Sequence, residues 1–519
     1  MLNLKSDDTS TNRSPNLTAD VTWSAQTHIA LDPETLFHYL ADFSSVRNWD
    51  PHVTDAQLIT SGPLKVGSEF ALDFRLGFHI SKMQYKIQSY EPPHKIVLKG
   101  STPLYHAIDT IVVKPDPSNP HWSMVSYGLE LFYQKPNIIS VKLGQRLTRY
   151  FANKALRNLK RLALPDSGRT KSASAILDKT VFGGIYQFTR FGFFNMKKRS
   201  HPLPVNAKSL KAVITGSTAG IGREIATELA RAQVEIIMVN RTQQKADDFA
   251  ELLRERFGAK IHSYITDMSN IHDTAKTMTM IAQDFPQIDL LINNAGELLN
   301  DRQETLEGFE HNFAVLLLAP FVVTQHLLPS LLSAHEHNPD RPARVINMCS
   351  GGLYTQGLNL DDLQYKQGEF NGAKAYARAK RGLLDVTEHY SRTIDKYKVV
   401  FHAMHPGWVH TPGVEKSLAS FLKTTKAVLR TPFQGADTAI WLALSEVAGQ
   451  SSGLFWLDRQ PHTTSIFPGT RTHPSQQSEL FARLDLLQKQ NNQNSKTLTG
   501  DLESGEQATT ENLTIPKQA

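Results

Sequence analysis

Cysteine is almost absent. Cys349 stands alone in 519 residues, which excludes an internal disulfide and points to a reducing compartment. No run of about 18 apolar residues is apparent, so no segment is expected to span a bilayer. The first residues, Met-Leu-Asn-Leu-Lys-Ser-Asp-Asp, hold no apolar signal core, and a cytoplasmic location is expected. No basic helix or interleaved aromatic-basic patch suited to nucleic acid is found, which makes that role the weakest; no metal site is implicated either. Neither sign of charge dominates. The net charge of +6 suits an anionic ligand or a lipid surface as well as a nucleic acid, and decides nothing alone.

What is present is an ordinary globular balance, 40% hydrophobic and 20% charged residues, in a chain long enough for two domains with tails. Residues 1–19 and 476–519 are polar and without periodicity, and are expected to be disordered. Residues 20–165 read as strand, helix, a meander of strands, then a long helix. Asp32-Pro33-Glu34 is a helix start, with Asp as N-cap and Pro at N1. The closing helix, from about Ile138 to Leu164, carries Ile139, Leu143, Leu147, Phe151, Ala155, Leu159 and Leu162 on one face, with Gly144 weakening its first turns. This order curls a sheet around a helix, an α+β helix-grip arrangement.

The segment resembles the START-like polyketide-cyclase/lipid-transport (SRPBCC) superfamily. The likeness is carried by Pro33-Glu34-Thr35-Leu36-Phe37-His38-Tyr39-Leu40, Val46-Arg47-Asn48-Trp49-Asp50-Pro51 and the Tyr90-Glu91-Pro92-Pro93 turn. It implies a hydrophobic-ligand pocket; a packed scaffold domain is the alternative. The linker 166–207 is aromatic (Phe182, Tyr186, Phe188, Phe191, Phe193, Phe194) and runs into Lys197-Lys198-Arg199. Such a stretch either clamps the two domains together, the reading favoured here, or lies peripherally in a membrane interface.

From Lys208 to about 475 the strand–helix alternation predicts a Rossmann-type α/β fold with a doubly wound parallel sheet. Its first strand, Ala212–Thr215, opens into Gly216-Ser217-Thr218-Ala219-Gly220-Ile221-Gly222 and then an amphipathic helix. Strand, glycine turn and helix N-terminus together suit a dinucleotide pyrophosphate. Tyr376 and Lys380, four apart on an apparent helix, share one face. A free tyrosine titrates near 10, too high for efficient proton transfer at neutral pH; lowering it by roughly 2–3 requires about 3–4 kcal/mol of differential stabilisation. The Lys380 ammonium is expected to contribute. At the end of the second strand stands Asn240-Arg241, with no acid to take a ribose 2′-hydroxyl and a guanidinium able to pair with a 2′-phosphate. NADP(H) is therefore expected; a plain surface arginine is the alternative.

These residues are similar to those of the short-chain dehydrogenase/reductase superfamily, over about 208–465. The resemblance implies that Thr215, Gly216, Ser217, Gly220, Ile221 and Gly222 form the cofactor turn and that Asp267 touches the adenine. It also implies that Asn293-Asn294-Ala295-Gly296 borders the cofactor and that Pro406-Gly407 lies beside the nicotinamide. Asn312, Ser350, Tyr376 and Lys380 would form the catalytic tetrad. In it Tyr376 moves the proton, Ser350 bonds the substrate oxygen, Lys380 holds the ribose and Asn312 anchors a water. The insertion Tyr354–Phe370 and His405-Pro406-Gly407 look like the retinol-dehydrogenase-like branch, which implies lipophilic carbonyls or alcohols. Val414, Leu418, Phe421, Leu422, Val428 and Leu429 fall on one face of the expected substrate lid, with Lys416, Lys423, Lys426 and Arg430 largely off it. Relatives often form dimers or tetramers, so a homo-oligomer is expected. A different outcome, a lipid-binding or transfer protein whose reductase fold only senses the cofactor, stays open.

Overall fold

The start signal at Asp32 does what its residue types predict: its carboxylate accepts the Thr35 amide at 2.8 Å, and Pro33 opens helix α1 (Pro33–Ala41). The structure, a computed structural model, describes residues 19–76, 79–117, 119–134, 136, 138–160, 186–197, 207–417 and 425–510. They divide into two compact units, Met1–Arg161 and Leu162–Ala519.

In the first unit, β1 (Val21–Ile29) and α1 are followed by the short helix α2 (Val46–Trp49). Six further strands are β2 (Val53–Leu58), β3 (Glu69–Leu76), β4 (His79–Glu91), β5 (Lys95–Ser101), β6 (Tyr105–Asp116) and β7 (Asn119–Tyr133). They form one antiparallel sheet in the order β1-β7-β6-β5-β4-β3-β2. The long helix α3 (Ile138–Lys160) packs on β1 and α2. This is the expected helix-grip arrangement. Its inner face is filled by Phe37, Phe43, Phe70 and Trp49, all buried. Gly144 does not weaken α3: a side chain there would meet the Tyr133 hydroxyl at 2.1 Å, so glycine lets helix and sheet close on each other. The expected stripe of α3 is only partly buried. Ala155 and Leu159 are covered, whereas Leu143 and Leu147 are exposed.

In the second unit, helix α4 (Arg190–Lys197) precedes an alternation of strands and helices. These are β8 (Lys211–Thr215), α5 (Gly220–Arg231), β9 (Glu235–Asn240), α6 (Gln243–Phe257), β10 (Ile261–Ile265), α7 (Ile271–Asp284) and β11 (Leu290–Asn293). Then come α8 (His311–His337), β12 (Ala343–Met348), α9 (Gly372–Thr393), β13 (Val399–Met404), α10 (Pro412–Ser417), α11 (Pro432–Leu444), β14 (Leu454–Leu457) and β15 (Gln460–His462). The sheet order is β10-β9-β8-β11-β12-β13-β14-β15, parallel throughout except for β15. The strand order reverses between β8 and β11, where a doubly wound sheet opens its ligand crevice. Helix α8 is long and apolar enough to cross a bilayer by length and composition. Yet 72% of its apolar window is buried, and it packs on α7 and β12 as a core helix.

The C-terminal expectation is corrected. Residues 476–519 were expected as a disordered tail, but Pro474–Thr510 form a helix, α12, packed on α9. Leu480 and Leu484 are fully buried, and the Phe481 ring meets Phe321 and Tyr390. Two of its buried polar residues are matched, Gln477 donating to Asp385 and Asn491 to Glu307. Residues 1–18 of the expected N-terminal tail lie outside the described residues, as do Phe182 and Lys198-Arg199 of the linker.

Candidate active site

The glycine turn is built by mutual support between two strand ends. The Thr215 hydroxyl accepts the amides of Asn294 and Ala295, each at 3.0 Å. In return the Asn294 side chain donates to the carbonyls of Thr215 and Gly216 at 3.0 Å. Gly222 sits where a Cβ would lie 2.2 Å from the Gly216 carbonyl and 2.3 Å from Asn294 Nδ2. No other residue fits there. Gly216 and Gly220 both take positive φ, and Ile221 packs on the core beneath the turn. Helix α5 begins at Ala219 with no capping side chain. Its first amides thus face the turn as an anion site. Ser217 is held by Asn240, the last residue of β9, through its amide at 2.8 Å and its hydroxyl at 3.0 Å. Asn240 is buried and supports the turn. The next residue, Arg241, is mostly exposed and lies 3.7 Å from Glu297. Glu297 also meets His311 at 3.1 Å.

The other cofactor-side positions separate into two kinds. Asn293 is buried and donates to Thr324 and Asn347, which ties β11 to its neighbours and leaves Ala295 and Gly296 at the crevice. A Cβ on Gly296 would come within 3.8 Å of Lys380 Nζ. The Asp267 carboxylate, past the end of β10, accepts the Ser269 amide at 2.9 Å.

Ser350, Tyr376 and Lys380 come together between β12 and α9. Ser350 is near enough to the Tyr376 hydroxyl to oppose the rise in its pKa, and Ser350 Oγ accepts the Gly352 amide. Lys380 is buried; its Nζ donates to the Met348 carbonyl at 2.6 Å and lies 6.0 Å from the Tyr376 ring centroid. Burial pushes the Tyr376 hydroxyl up to about 12, against a lowering by Ser350. It also pulls Lys380 down to about 8. The expectation of a tyrosine lowered by its lysine is therefore corrected for the free protein, because burial outweighs every favourable neighbour. Cys349 is buried beside them, its thiol pushed up by burial to about 12, and is unreactive.

Asn312 enters differently. It opens α8, which packs on α9 here. Its side chain accepts the Leu299 amide at 3.1 Å and donates to Glu310 at 3.0 Å. Glu310 caps the helix through the Asn312 and Phe313 amides and in turn donates its own amide to Gln364. The insertion Tyr354–Phe370 thus reaches the site through Gln364 and Glu310. Neither residue stood out in the sequence, because a lone buried glutamate carries no spacing signal. Directly after Asn312, residues Ala314–Leu318 form a π-helical turn, a distortion common at functional sites.

Pro406 and Gly407 follow β13. A Cβ on Gly407 would meet the Arg430 guanidinium at 2.3 Å, so glycine makes room for that side chain. Arg430 was expected to lie largely off the lid's apolar face. It is instead buried and paired twice with Asp458. Leu429 is buried as expected; residues 418–424 of the expected lid lie outside the described residues. In the aromatic linker, Phe193 and Phe194 are covered, and Phe188 packs on His405 and Trp408.

A glycine turn at an uncapped helix, with serine, tyrosine and lysine gathered at the opening of a doubly wound sheet, defines an oxidoreductase class. The family model for short chain dehydrogenase matches residues 210–420, and that for polyketide cyclase / dehydrase and lipid transport matches residues 20–163. The chain is 36% identical over 312 residues to a cattle protein named dehydrogenase/reductase SDR family member 12, covering 59% of this chain and 95% of the relative. It is 35% identical over 309 residues to the human protein of that name, with the same coverage. To human retinol dehydrogenase 14 it is 31% identical over 268 residues, covering 47% and 76%. The chain belongs to the short-chain dehydrogenase/reductase family, with a polyketide-cyclase/lipid-transport domain N-terminal to the reductase.

Proposed function

We propose that the protein is an NADP(H)-dependent reductase of lipophilic carbonyls. The observation that carries this reading is the meeting of Ser350, Tyr376 and Lys380 beside a glycine turn whose Gly222 tolerates no side chain. The turn, the uncapped start of α5 and Lys380 fit a dinucleotide, and Arg241 fits its 2′-phosphate. When bound, the nicotinamide supplies the hydride. Tyr376 keeps its proton at neutral pH, as a donor to a carbonyl oxygen must, and Ser350 holds the same oxygen. Lys380 supplies positive charge as that oxygen becomes anionic, and Glu310 with Asn312 keeps the adjoining loop in place. Such acid–base help contributes roughly 10²–10⁴-fold. The substrate class is inferred from relatives named for retinol and polyprenol and from the lipid-transport domain, which we read as capturing or presenting the hydrophobic ligand. The catalytic tetrad, a peripheral membrane contact and a homo-oligomer belong to this reading.

The test is a fluorescence titration of the full chain with NADPH and with NADH, followed by turnover of a panel of lipophilic aldehydes and ketones. Preference for NADPH with turnover supports the proposal. Binding of neither cofactor, with lipid bound by the chain, favours the lipid-transfer alternative.

A further inference from the structure

The segment before the reductase sheet reaches the catalytic serine. The Trp408 amide donates to the Phe188 carbonyl at 2.7 Å. Arg430 donates to the carbonyls of Thr189 and Gln187 while paired with Asp458. Residues 187–189 are thus held by Trp408, in the loop after β13, and by Arg430, just before α11. This places the Phe188 ring edge-on to His405, centroids 4.6 Å apart, and 6.0 Å from Trp408. His405 Nδ1 accepts the amide of Gly351, the residue after Ser350. A Cβ on Gly351 would lie 3.2 Å from the Phe188 ring and 2.8 Å from His405 Nε2. Burial, with Arg430 and His462 nearby, keeps the imidazole neutral, so Nε2 carries the proton; it is buried with no hydrogen-bond partner among the described residues. Phe188 itself is only partly buried.

A ring packed on His405 and Trp408, carried on a backbone held by three hydrogen bonds, one residue along from Ser350 and still partly open, is placed as a pocket wall. Phe188 also lies outside the residues that match the reductase family model, so the wall is supplied by the chain's own linker. We propose that Phe188 is a specificity-determining residue, setting the width of the carbonyl substrate accepted beside Ser350. This rests on the reductase reading above. Removing the ring opens space for branched or ring-bearing substituents next to the carbonyl; enlarging it closes that space. Discrimination by one hydrophobic wall is worth about 10-fold or more.

The experiment compares full-length wild type, Phe188→Ala and Phe188→Trp on a series of ketones of one chain length and increasing branching beside the carbonyl. The readouts are kcat and KM for each ketone and, by calorimetry with NADP+ present, the Kd of the same ketones. The proposal predicts that Phe188→Ala raises the ratio of kcat/KM for bulky over slim ketones about 10-fold, and that Phe188→Trp lowers it, with NADPH affinity unchanged. A uniform change across the series in both variants, or none, marks a structural clamp and overturns it. If wild type turns over no ketone, the reductase reading fails and the Kd series decides: an unchanged size dependence, or no ketone binding, overturns this inference as well.

Discussion

Each unit buries tyrosine hydroxyls beside an ionisable group, and the sign of that group separates them. In the first unit Asp109 on β6 accepts the Tyr127 hydroxyl at 2.5 Å, with the buried Tyr85 nearby. Burial lifts its carboxyl from 3.8 to about 6, and burial, with the carboxylate adding to it, drives both tyrosines well above their ordinary range. In the second unit Tyr376 has Ser350 nearby and Lys380 four residues on, and is lifted chiefly by burial, with Cys349 adding to it, to about 12. A buried anion locks a tyrosine's proton in place. A hydroxyl and a nearby cation leave it movable once charge develops on a bound oxygen. On the proposed function, the same side chain is a fixed donor in one unit and the proton carrier in the other.

Replacing the cation should break that difference most. Lys380→Met is expected to lower carbonyl reduction by roughly 10²–10⁴-fold, while Tyr85→Phe leaves it within about twofold, measured as NADPH consumption. Titrating the cation does the same reversibly. Lys380 is charged below about 8 and loses its proton as pH rises through that value. The reduction rate should therefore be level from pH 6 to 7 and fall above about 8, which a pH–rate profile at saturating cofactor checks. Arg241→Ala acts on the cofactor alone. Losing a charge-assisted bond worth about 1.5–3 kcal/mol should reduce the preference for NADPH over NADH by roughly 10–100-fold, read from the two dissociation constants.

The smallest effect on turnover is expected in the first unit. Because the folded Asp109 binds its proton more tightly than the unfolded one, stability is highest below about pH 4 as far as this group is concerned. It declines as pH rises through about 6, by about 2–3 kcal/mol. Asp109→Asn should flatten that decline in denaturant melts at pH 5 and 7 with no change in reductase activity.

The candidate site was legible in sequence where it rests on short-range spacing. The glycine turn, the Asn-Asn-Ala-Gly run and the i, i+4 tyrosine and lysine each sit within one strand–turn or helix step. The cap at Asp32 was legible for the same reason. What escaped depends on distant partners. Glu310 matters because Gln364 and Asn312 meet it, 54 residues away and 2 residues away respectively. Arg430 looked like a surface cation until Asp458 and the Gln187 and Thr189 carbonyls closed around it. Helix α12 was hidden by its polar composition, since Leu480, Phe481 and Leu484 are few among glutamines and asparagines that bond across the core surface. Tyr376 was misjudged for another reason: the neighbouring lysine is visible in sequence, whereas the degree of burial that outweighs it is not.

The claim that one tyrosine carries the proton is tested most directly by Tyr376→Phe, which removes the hydroxyl and keeps the ring. NADPH binding and NADPH-dependent turnover are measured on the same preparation. The account predicts binding within about threefold of wild type and turnover reduced by roughly 10²–10⁴-fold. Turnover retained alongside intact binding would contradict it.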